Sequence, residues 1–303
     1  MPPTEREIPV SVVARAALLL DSFDSEHPAL PLAELTRRTG LARSTAHRLA
    51  EELTELGWLE RVPSGYQLGM RLFEYGELVP RQRNLSQVAL PYMEDLRTAT
   101  GAAVHLAILA GTEVVYLQVL ASKSAPPMNS RRGGRLPAHA TGVGKAILAF
   151  SPPEDVERVL HGPLQRLTLR TLATPGQLRR ELATIRASGV AYDREESNVG
   201  VLCAAVPVFG PDGDVRAAMS VSGFSRRLAP RMAPAVQTAA LALSGCSQNY
   251  WPDFSAGSGE EAATQTPATV PNAAPVPVSP TQVSRIVADV SALSGAADDS
   301  LDA

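Results

Sequence analysis

The sequence predicts a mixed α/β chain of the α+β type, with a small helical unit followed by a larger sheet-containing unit. Residues 11–57 hold three short amphipathic segments, each bounded by capping residues. Residues 58–68 hold two strand-like runs around a Pro-Ser-Gly turn. Between residues 103 and 222, strand-like runs are joined by short turns, with helical patterns before and after them. The larger unit is therefore predicted to be an antiparallel sheet flanked by helices.

Three helices are predicted in the small unit. The first, Val12–Phe23, follows the potential N-cap Ser11, and the second, Leu32–Thr39, ends at Gly40, the residue type that favours a left-handed cap. The third covers Ala42–Leu56, and its apolar stripe is Ala42, Ala46, Leu49, Leu53 and Leu56. The order of a short helix, a tight turn and a longer helix is typical of a helix-turn-helix.

The opposite face of the third helix carries hydrogen-bond donors suited to phosphates and base edges. No acid occurs between Leu35 and Ala50, a window that includes Arg38. A hairpin follows, with strands Trp58–Val62 and Tyr66–Leu68 around Pro63-Ser64-Gly65. The pattern predicts a winged helix-turn-helix that binds double-stranded DNA, with these contacts: Arg38, Arg43, Ser44, Thr45, His47, Arg48 and Arg61. The alternative is a small protein-interaction domain with ordinary solvated arginines.

The composition is globular and weakly acidic. The chain has 303 residues, 45% of them hydrophobic and 19% charged, and a net charge of −3. Residues 1–90 hold ten basic and twelve acidic residues, so DNA affinity would have to come from a local basic edge. The sequence has no apolar run long enough to span a membrane and no signal peptide pattern. Two cysteines, Cys203 and Cys246, predict a reducing, cytoplasmic setting.

Residues 251–303 form an acidic tail rich in proline and alanine, which predicts disorder. Residues 253–303 contain seven acids and a single arginine. Thr281–Leu293 has apolar residues near helical spacing, so it could form a transient helix or docking segment, although an extension without a defined role is the simpler interpretation. Residues 1–69 are assigned to the DNA-binding domain and residues 70–83 to a linker helix.

The linker helix is predicted over Met70–Val79, with a stripe at Leu72, Tyr75, Gly76 and Val79. This apolar side needs a partner, either the same helix of a second subunit or its own domain. A longer helix is predicted to begin at a cap, Asn84, and to run to Ala99 with a kink at Pro91.

Residues 84–250 are assigned to the second domain. Its predicted strands are Ala103–Leu109, Glu113–Leu120, a short strand within Ser130–Pro137, Val190–Asp193, Val201–Phe209 and Val215–Ser222. Its further predicted helices are Gly142–Phe150, Pro153–Leu160, Gly176–Ala187 and Ala229–Leu243.

Several of these segments resemble motifs of the IclR family of bacterial transcription regulators. LARSTAHRLAEELTELGWLER (41–61) resembles the family's recognition helix and wing, and LPAHATGVGKAILAF (136–150) resembles its entry into the effector domain. GVAYDREESNVGVLCAAVPVF (189–209) and VRAAMSVSGFSRRL (215–228) resemble the family signature. The resemblance covers residues 10–245, about four-fifths of the chain.

The resemblance implies a GAF-like effector domain with a curved, mainly antiparallel sheet. It also implies a homodimer or dimer of dimers that binds a pseudo-palindromic operator, and a small effector that often carries a carboxylate. We expect a repressor without a cofactor.

An effector pocket is predicted where a helix N-terminus meets two strands. Thr141 precedes Gly142 and Val143 at a helix start, where free N–H groups suit a carboxylate. Ser220 and Ser222 are two apart on a strand, so they face the same side. The resemblance implies the same set: Gly142, Val143, Asp193, Cys203, Ser220 and Ser222. Small buried strand residues without a ligand are the alternative.

Other chemistry fits the sequence poorly. HATGVGKA has His139 and Ala146 where a phosphate-binding Walker loop needs Gly and Ser or Thr. His139, Asp193 and Cys203 could form a thiol-hydrolase triad or a zinc site, but no spacing supports either. We therefore expect no enzyme and no metal. The competing hypothesis is a metabolite-binding enzyme or sensor whose helix-turn-helix mediates protein contacts.

Overall fold

The structure, a computed structural model, describes residues 11–24, 26–122, 128–223 and 228–245. The acidic tail, with its Thr281–Leu293 segment, and Cys246 lie outside these residues. The chain divides into two compact units, Met1–Arg83 and Asn84–Ala303. Within the described ranges, every helix is too short or too polar to cross a bilayer.

The first unit contains the three predicted helices, α1 (Val12–Leu20), α2 (Leu32–Thr39) and α3 (Arg43–Glu55). The bounds of α2 are confirmed, and Gly40 closes it with φ +70°. The prediction that α1 reaches Phe23 is wrong. The N–H groups of Ser22 and Phe23 bond to carbonyls three residues back, which tightens the chain into a turn after Leu20.

The core of this unit is formed by the inner faces of the helices. On α3, Ala46, Leu49, Ala50 and Leu53 are buried. The predicted stripe is wrong at its ends, because Ala42 is exposed and Leu56 is 54% exposed. Both residues lie outside the helix as caps, where the helical periodicity no longer controls the direction of a side chain.

The wing is a three-stranded sheet in the order β1-β3-β2. Its strands are β1 (Ala29–Leu30), β2 (Leu59–Val62) and β3 (Gly65–Leu68). Val62 pairs with Gly65, so the loop has two residues instead of the predicted three. Gly65 has φ +135°, and a Cβ there would lie 2.2 Å from the carbonyl oxygen of Leu30. The added strand β1, which the sequence did not predict, therefore packs closely against this glycine.

Two helices follow the wing. The linker helix α4 (Met70–Glu77) is shorter than predicted and has no residue buried by the described chain. Helix α5 (Pro80–Thr100) begins four residues before the predicted cap Asn84, contains Pro91, and ends at Gly101 with φ +63°. Proline at the start of a helix removes only an N–H that has no helical partner, which explains the early start.

The second unit contains a six-stranded sheet in the order β6-β5-β4-β9-β8-β7. All of its neighbouring strands are antiparallel. The strands are β4 (Ala103–Ala110), β5 (Glu113–Leu120), β6 (Arg135–Pro137), β7 (Ala191–Arg194), β8 (Leu202–Phe209) and β9 (Val215–Gly223). The helices are α6 (Gly142–Phe150), α7 (Pro153–His161), α8 (Pro175–Ser188) and α9 (Leu228–Ser244). The predicted antiparallel sheet with flanking helices is confirmed.

The two faces of this sheet belong to different cores. One face packs against α5 and α9, and the other packs against α6, α7 and α8. On β9, Met219 and Val221 point into the first core, as expected from the alternation of side chains along a strand. Ser220 and Ser222 consequently lie on the α6 side.

Candidate functional site

The N-terminal half of α3 presents a polar surface. Arg43, Ser44, His47 and Arg48 are exposed, whereas Thr45 is half-buried. In the part of the chain that the structure describes, the guanidinium of Arg43 has no ion-pair or hydrogen-bond partner. Its charge is therefore available to an external anion.

The other two arginines near this surface are paired with acids of α3. Arg48 lies 3.2 Å from Glu52, and Arg61 of the wing lies 2.5 Å from Glu51. The hydroxyl of Tyr66 also donates to Glu51 at 2.7 Å, and these bonds hold the pKa of Glu51 below its usual value. The acid-free window of the sequence ends at Ala50, one residue before these acids, so sequence reasoning overestimated the free positive charge.

Arg38 is engaged inside the first unit. Its guanidinium donates to Glu34, to Asp24 and to the carbonyl of Ser22, and its side chain is 20% exposed. These bonds hold the pKa of Asp24 well below its usual range. Arg37 and Arg38 lower the pKa of Glu34 to about 2. Arg38 therefore ties α2 to the turn after α1, and its guanidinium is already occupied by these partners.

In the second unit, one cavity brings together all six residues predicted for the effector. Gly142, Val143, Asp193, Cys203, Ser220 and Ser222 line it. Sequence reasoning missed other lining residues, among them His105, Tyr116, Ser130, Ser197 and Asn198. The free volume of the cavity is about 30 Å³.

The sheet register explains why these side chains meet. Asp193 on β7 pairs with Cys203 on β8, and Cys203 pairs with Ser222 on β9. These three residues form one row across neighbouring strands. Ser220 pairs with His105 on β4, which extends the polar surface by one more strand.

Helix α6 closes the cavity with its N-terminus. Thr141 is the N-cap, and its hydroxyl accepts a hydrogen bond from the N–H of Gly144 at 3.0 Å. Among the described residues, the N–H groups of Gly142 and Val143 have no protein acceptor. A Cβ on Gly142 would lie 2.9 Å from the sulfur of Cys203, so only glycine lets the helix start this close to the sheet.

Asp193 is an acid inside the cavity, and its oxygens are already bonded. They accept hydrogen bonds from the N–H of Glu196 at 2.6 Å and from the hydroxyl and N–H of Ser197. Burial raises the pKa of Asp193, against the opposing effect of these bonds. Burial also raises the pKa of Cys203 to about 12, so its sulfur is a neutral thiol at neutral pH.

A buried ion pair lies behind this acid. Lys145 of α6 has no exposed side-chain surface, and its ammonium lies 2.7 Å from both carboxylate oxygens of Glu196 and from the carbonyl of Tyr192. A second acid, Glu181, lies 3.4 Å away. Sequence reasoning missed this pair because Lys145 stands within an otherwise apolar helix and its partner is 51 residues away.

The residues considered for a thiol-hydrolase triad do not act together. The Nε2 atom of His139 lies 3.0 Å from the carbonyl of Gln165, and no bond within the described ranges joins His139 to Asp193 or Cys203. A nucleophilic cysteine requires a lowered thiol pKa, and the pKa of Cys203 is raised.

Two family models match the chain. The IclR helix-turn-helix domain matches residues 12–63, and the model described as bacterial transcriptional regulator IclR C-terminal matches residues 78–245. The transcriptional regulator XynR of Escherichia coli K12 is 36% identical over 222 residues, which are 72% of this chain and 88% of that protein. The transcriptional repressor IclR of the same organism is 31% identical over 71% of this chain and 80% of its own length.

Solved structures have the same fold. An IclR homologue from Microbacterium hydrocarbonoxydans, complexed with 4-hydroxybenzoate, has a TM-score of 0.69 and 34% identity. The match covers 77% of this chain and 98% of that one. IclR of Thermotoga maritima has a TM-score of 0.60 and 30% identity over 77% of this chain and 95% of its own. The chain therefore belongs to the IclR family of bacterial transcription regulators, whose helix-turn-helix binds DNA and whose C-terminal domain binds small-molecule effectors.

Proposed function

We propose that this protein is a cytoplasmic repressor that binds a pseudo-palindromic operator as a homodimer and responds to a small carboxylate. The observation that carries the proposal is the cavity where the free N–H groups of Gly142 and Val143 meet the hydroxyls of Ser220 and Ser222. The relatives of this chain include a transcriptional repressor, which supports repression over activation.

The DNA contacts in this proposal come from the N-terminal half of α3 and from the wing. Arg43 is the main contact, because its charge has no acid partner among the described residues. Ser44, His47 and Arg48 lie on the same exposed surface, with Thr45 at its edge. Arg48 and Arg61 contribute less, because phosphate would have to compete with Glu52 and Glu51 for their guanidinium groups.

The dimer in this proposal uses the linker helix. Met70 is 63% exposed, Phe73 is 62% exposed and Leu78 is 75% exposed. Clustered apolar side chains of this size are costly to leave in water and mark interaction sites. We assign the partner to the same helix of a second copy, which also supplies the twofold symmetry of a pseudo-palindromic site. In this proposal, residues 1–69 form the DNA-binding domain, residues 70–83 the linker helix, residues 84–250 the effector domain and residues 251–303 the tail.

The effector in this proposal binds through its carboxylate at the start of α6. Unpaired N–H groups at a helix N-terminus attract anions. Neither lysine nor arginine belongs to the described lining of the cavity. Burial raises the pKa of Asp193, which favours its neutral form and so reduces its repulsion of a nearby carboxylate. The solved relative with 4-hydroxybenzoate supports a carboxylate of this class.

Binding should change the shape of the effector domain. A free volume of about 30 Å³ is far below the roughly 300–1,000 Å³ of ordinary ligand pockets. Ser197, Asn198 and Val201 line the cavity from the β7–β8 loop, which Asp193 holds in place. Entry of a ligand should therefore displace this loop. The ligand can change DNA affinity only if it binds the conformations with the loop in place and displaced with different affinity.

Fluorescence anisotropy with the DNA upstream of the protein's own gene tests the proposal. The expected complex contains two chains per site. Arg43→Ala should weaken binding and lower the slope of log affinity against log salt by about one if the contact is to phosphate. Arg180→Ala, which removes an exposed arginine from α8, is the matched control and should change neither.

The same assay tests the effector. Adding 4-hydroxybutyrate or 4-hydroxybenzoate should lower the DNA affinity of the wild type and leave a Ser220→Ala/Ser222→Ala variant unchanged. If Arg43→Ala keeps the wild-type DNA affinity and salt slope, the proposed contact between Arg43 and DNA is excluded. A DNA affinity that no monocarboxylate alters would exclude the effector class.

A further inference from the structure

A groove with apolar walls lies on the effector domain and shares no described lining residue with the cavity at the start of α6. Phe150 at the end of α6 and Phe209 at the end of β8 line it together with α9. Four of the α9 lining residues recur at helical spacing: Pro234, Gln237, Thr238 and Leu241. The free volume of the groove is about 480 Å³, within the roughly 300–1,000 Å³ of ordinary ligand pockets. The groove is therefore large enough to take the side chains of another segment.

The walls of this groove leave apolar surface open to solvent. Leu241 is 61% exposed. Phe150 and Phe209, which pack edge-on at 5.4 Å between ring centroids, are only partly buried. None of the described lining residues carries a charge. A contiguous apolar surface marks an interaction site, and an uncharged one favours an apolar or aromatic occupant.

The chain leaves the described part of the effector domain beside this groove. The N–H of Phe209 donates to the hydroxyl of Ser244 at 3.0 Å, which fixes the end of α9 next to the end of β8. Leu241 lies about one helical turn before that end. The residues that follow Gly245 therefore begin within reach of the groove.

The first residues after Gly245 contain all the aromatic side chains of the tail. They read CSQNYWPDF (246–254), and residues 255–303 contain no aromatic residue. Pro252 does not continue an α-helix, and it biases Trp251 toward an extended backbone. The sequence therefore places an aromatic segment suited to an extended conformation directly after α9.

The distance is short enough for this segment to fold back along α9. Trp251 is six residues after Gly245, and an extended chain of that length reaches about 20 Å. The groove face of α9 is about 10 Å long from Pro234 to Leu241, since a helix rises about 1.5 Å per residue. A segment that turns back at Gly245 can therefore place Trp251 against this face.

We propose that residues 250–254 fold back into the groove of the same chain, with the side chains of Trp251 and Phe254 against its apolar walls. Burial of the two aromatic side chains stabilises the docked segment, because both sides of the contact remove apolar surface from water. The effector domain then extends beyond Gly245, where the IclR C-terminal family model ends.

Two other occupants fit the groove less well. Residues 281–293 also carry apolar residues near helical spacing, but their linker from Gly245 is about six times longer. Their effective concentration at the groove is therefore on the order of tenfold lower. A second copy of the chain would lose translational and rotational freedom on binding, which an attached segment does not. The short attachment favours residues 250–254.

Tryptophan fluorescence of the full chain tests this docking. The chain has two tryptophans, so Trp58→Phe leaves Trp251 as the reporter. We expect Trp251 to emit at the short wavelengths of a buried indole, and its quenching by acrylamide to be much weaker than in urea at every protein concentration. Leu241→Asp should lower the equilibrium constant for docking about tenfold, because it removes apolar contact and places a charge in the groove. Its emission should shift to longer wavelength and its quenching should increase.

Two further variants separate an effect on the groove from a general effect of added charge. Leu169→Asp changes a leucine that is 91% exposed and does not line the groove, so it should leave the emission and quenching of Trp251 unchanged. Thr238→Glu places a charge at another position of the groove and should act as Leu241→Asp does. It serves if Leu241→Asp does not fold.

The dye 1-anilinonaphthalene-8-sulfonate, which binds exposed apolar surface, reports on the groove itself. Trp251→Ser/Phe254→Ser should increase binding of the dye, because it uncovers the groove. Val283→Ser/Ile286→Ser, which removes apolar residues from the longer attachment, should leave dye binding unchanged.

Any of four results would overturn the proposal. The first is quenching of Trp251 as strong as in urea, and the second is unchanged quenching in both Leu241→Asp and Thr238→Glu. The third is dye binding that increases only in Val283→Ser/Ile286→Ser, which would assign the groove to residues 281–293. The fourth is a smaller sedimenting mass for Leu241→Asp with unchanged quenching of Trp251, which would assign the groove to a second copy of the chain.

Discussion

Removing Lys145 should destabilise the effector domain much more than a surface substitution would. Lys145→Met keeps most of the side-chain volume and removes the ammonium. Glu196 is then left 5% exposed with no cation within bonding distance among the described residues. It retains the weak bond from the N–H of Arg194 at 3.4 Å. Breaking a buried ion pair on one side typically costs about 3–5 kcal/mol, because the remaining charge is uncompensated.

The double substitution Lys145→Met/Glu196→Met separates charge from packing. It removes both charges and fills the same space with apolar atoms, which is often neutral for a buried pair. We therefore expect the double variant to recover most of the stability lost in Lys145→Met. The non-additivity of the two changes measures the interaction of the pair.

The loss in Lys145→Met should also depend on pH. Burial raises the pKa of Glu196, and Lys145 opposes this effect in the wild type. Without Lys145, the folded-state pKa of Glu196 should rise further above the unfolded value. The destabilisation is then greatest above the folded-state pKa and decreases as the pH falls through it, because protonation neutralises the orphaned carboxylate.

Hydrogen exchange followed by mass spectrometry is the suitable assay, because it reports free energies of opening for separate regions of a two-unit chain. Peptides from β7, β8 and α6 should lose about 3–5 kcal/mol of protection at pH 7, while peptides from α2 and α3 remain unchanged. If Lys145→Met loses less than about 1 kcal/mol of protection, or if the double variant is as unstable as Lys145→Met, then Lys145 and Glu196 do not form a stabilising buried ion pair.

Two further predictions concern the first unit. Gly65→Ala should lower its thermal unfolding midpoint, because the new Cβ would lie 2.2 Å from the carbonyl oxygen of Leu30, and a midpoint equal to the wild type would contradict this packing. The unit should also lose stability as the pH falls from about 4.5 toward 2, because Asp24 and Glu34 have pKa values lowered in the folded state and their contribution disappears on protonation. Arg38→Gln should reduce this acid-dependent loss of stability. The fluorescence of Trp58 in a Trp251→Phe background measures it. An unchanged pH dependence in Arg38→Gln would exclude the Arg38 network as the source of the acid-dependent loss.

Local chemistry explains the elements that sequence patterns located well. Helix α2 has its predicted bounds because Gly40 provides a left-handed C-cap. Helix α6 also has its predicted bounds, and Thr141 caps it with its hydroxyl. Strand alternation alone placed Ser220 and Ser222 on the face opposite Met219. In each case the information lies within a few residues of the element concerned.

The strand β1 and the length of the wing loop required tertiary information. Two residues, Ala29–Leu30, are too short to form a recognisable pattern, and they become a strand only because β3 offers an unpaired edge. The contact between β1 and β3 restricts position 65 to glycine, and β3 begins at this residue. The hairpin therefore depends on a segment about 35 residues earlier in the chain.

The sequence by itself determined the order of helices and strands, the polar face of α3 and the side of the sheet on which the two serines lie. Only the tertiary structure decided the electrostatic environment of these residues. It paired Arg38 with Asp24, Arg61 with Glu51 and Lys145 with Glu196, and it brought His105 into the lining of the cavity. The physical reason is range: propensity, capping and periodicity act between near neighbours, whereas most of these charges and hydrogen bonds join groups that meet only when distant segments pack together.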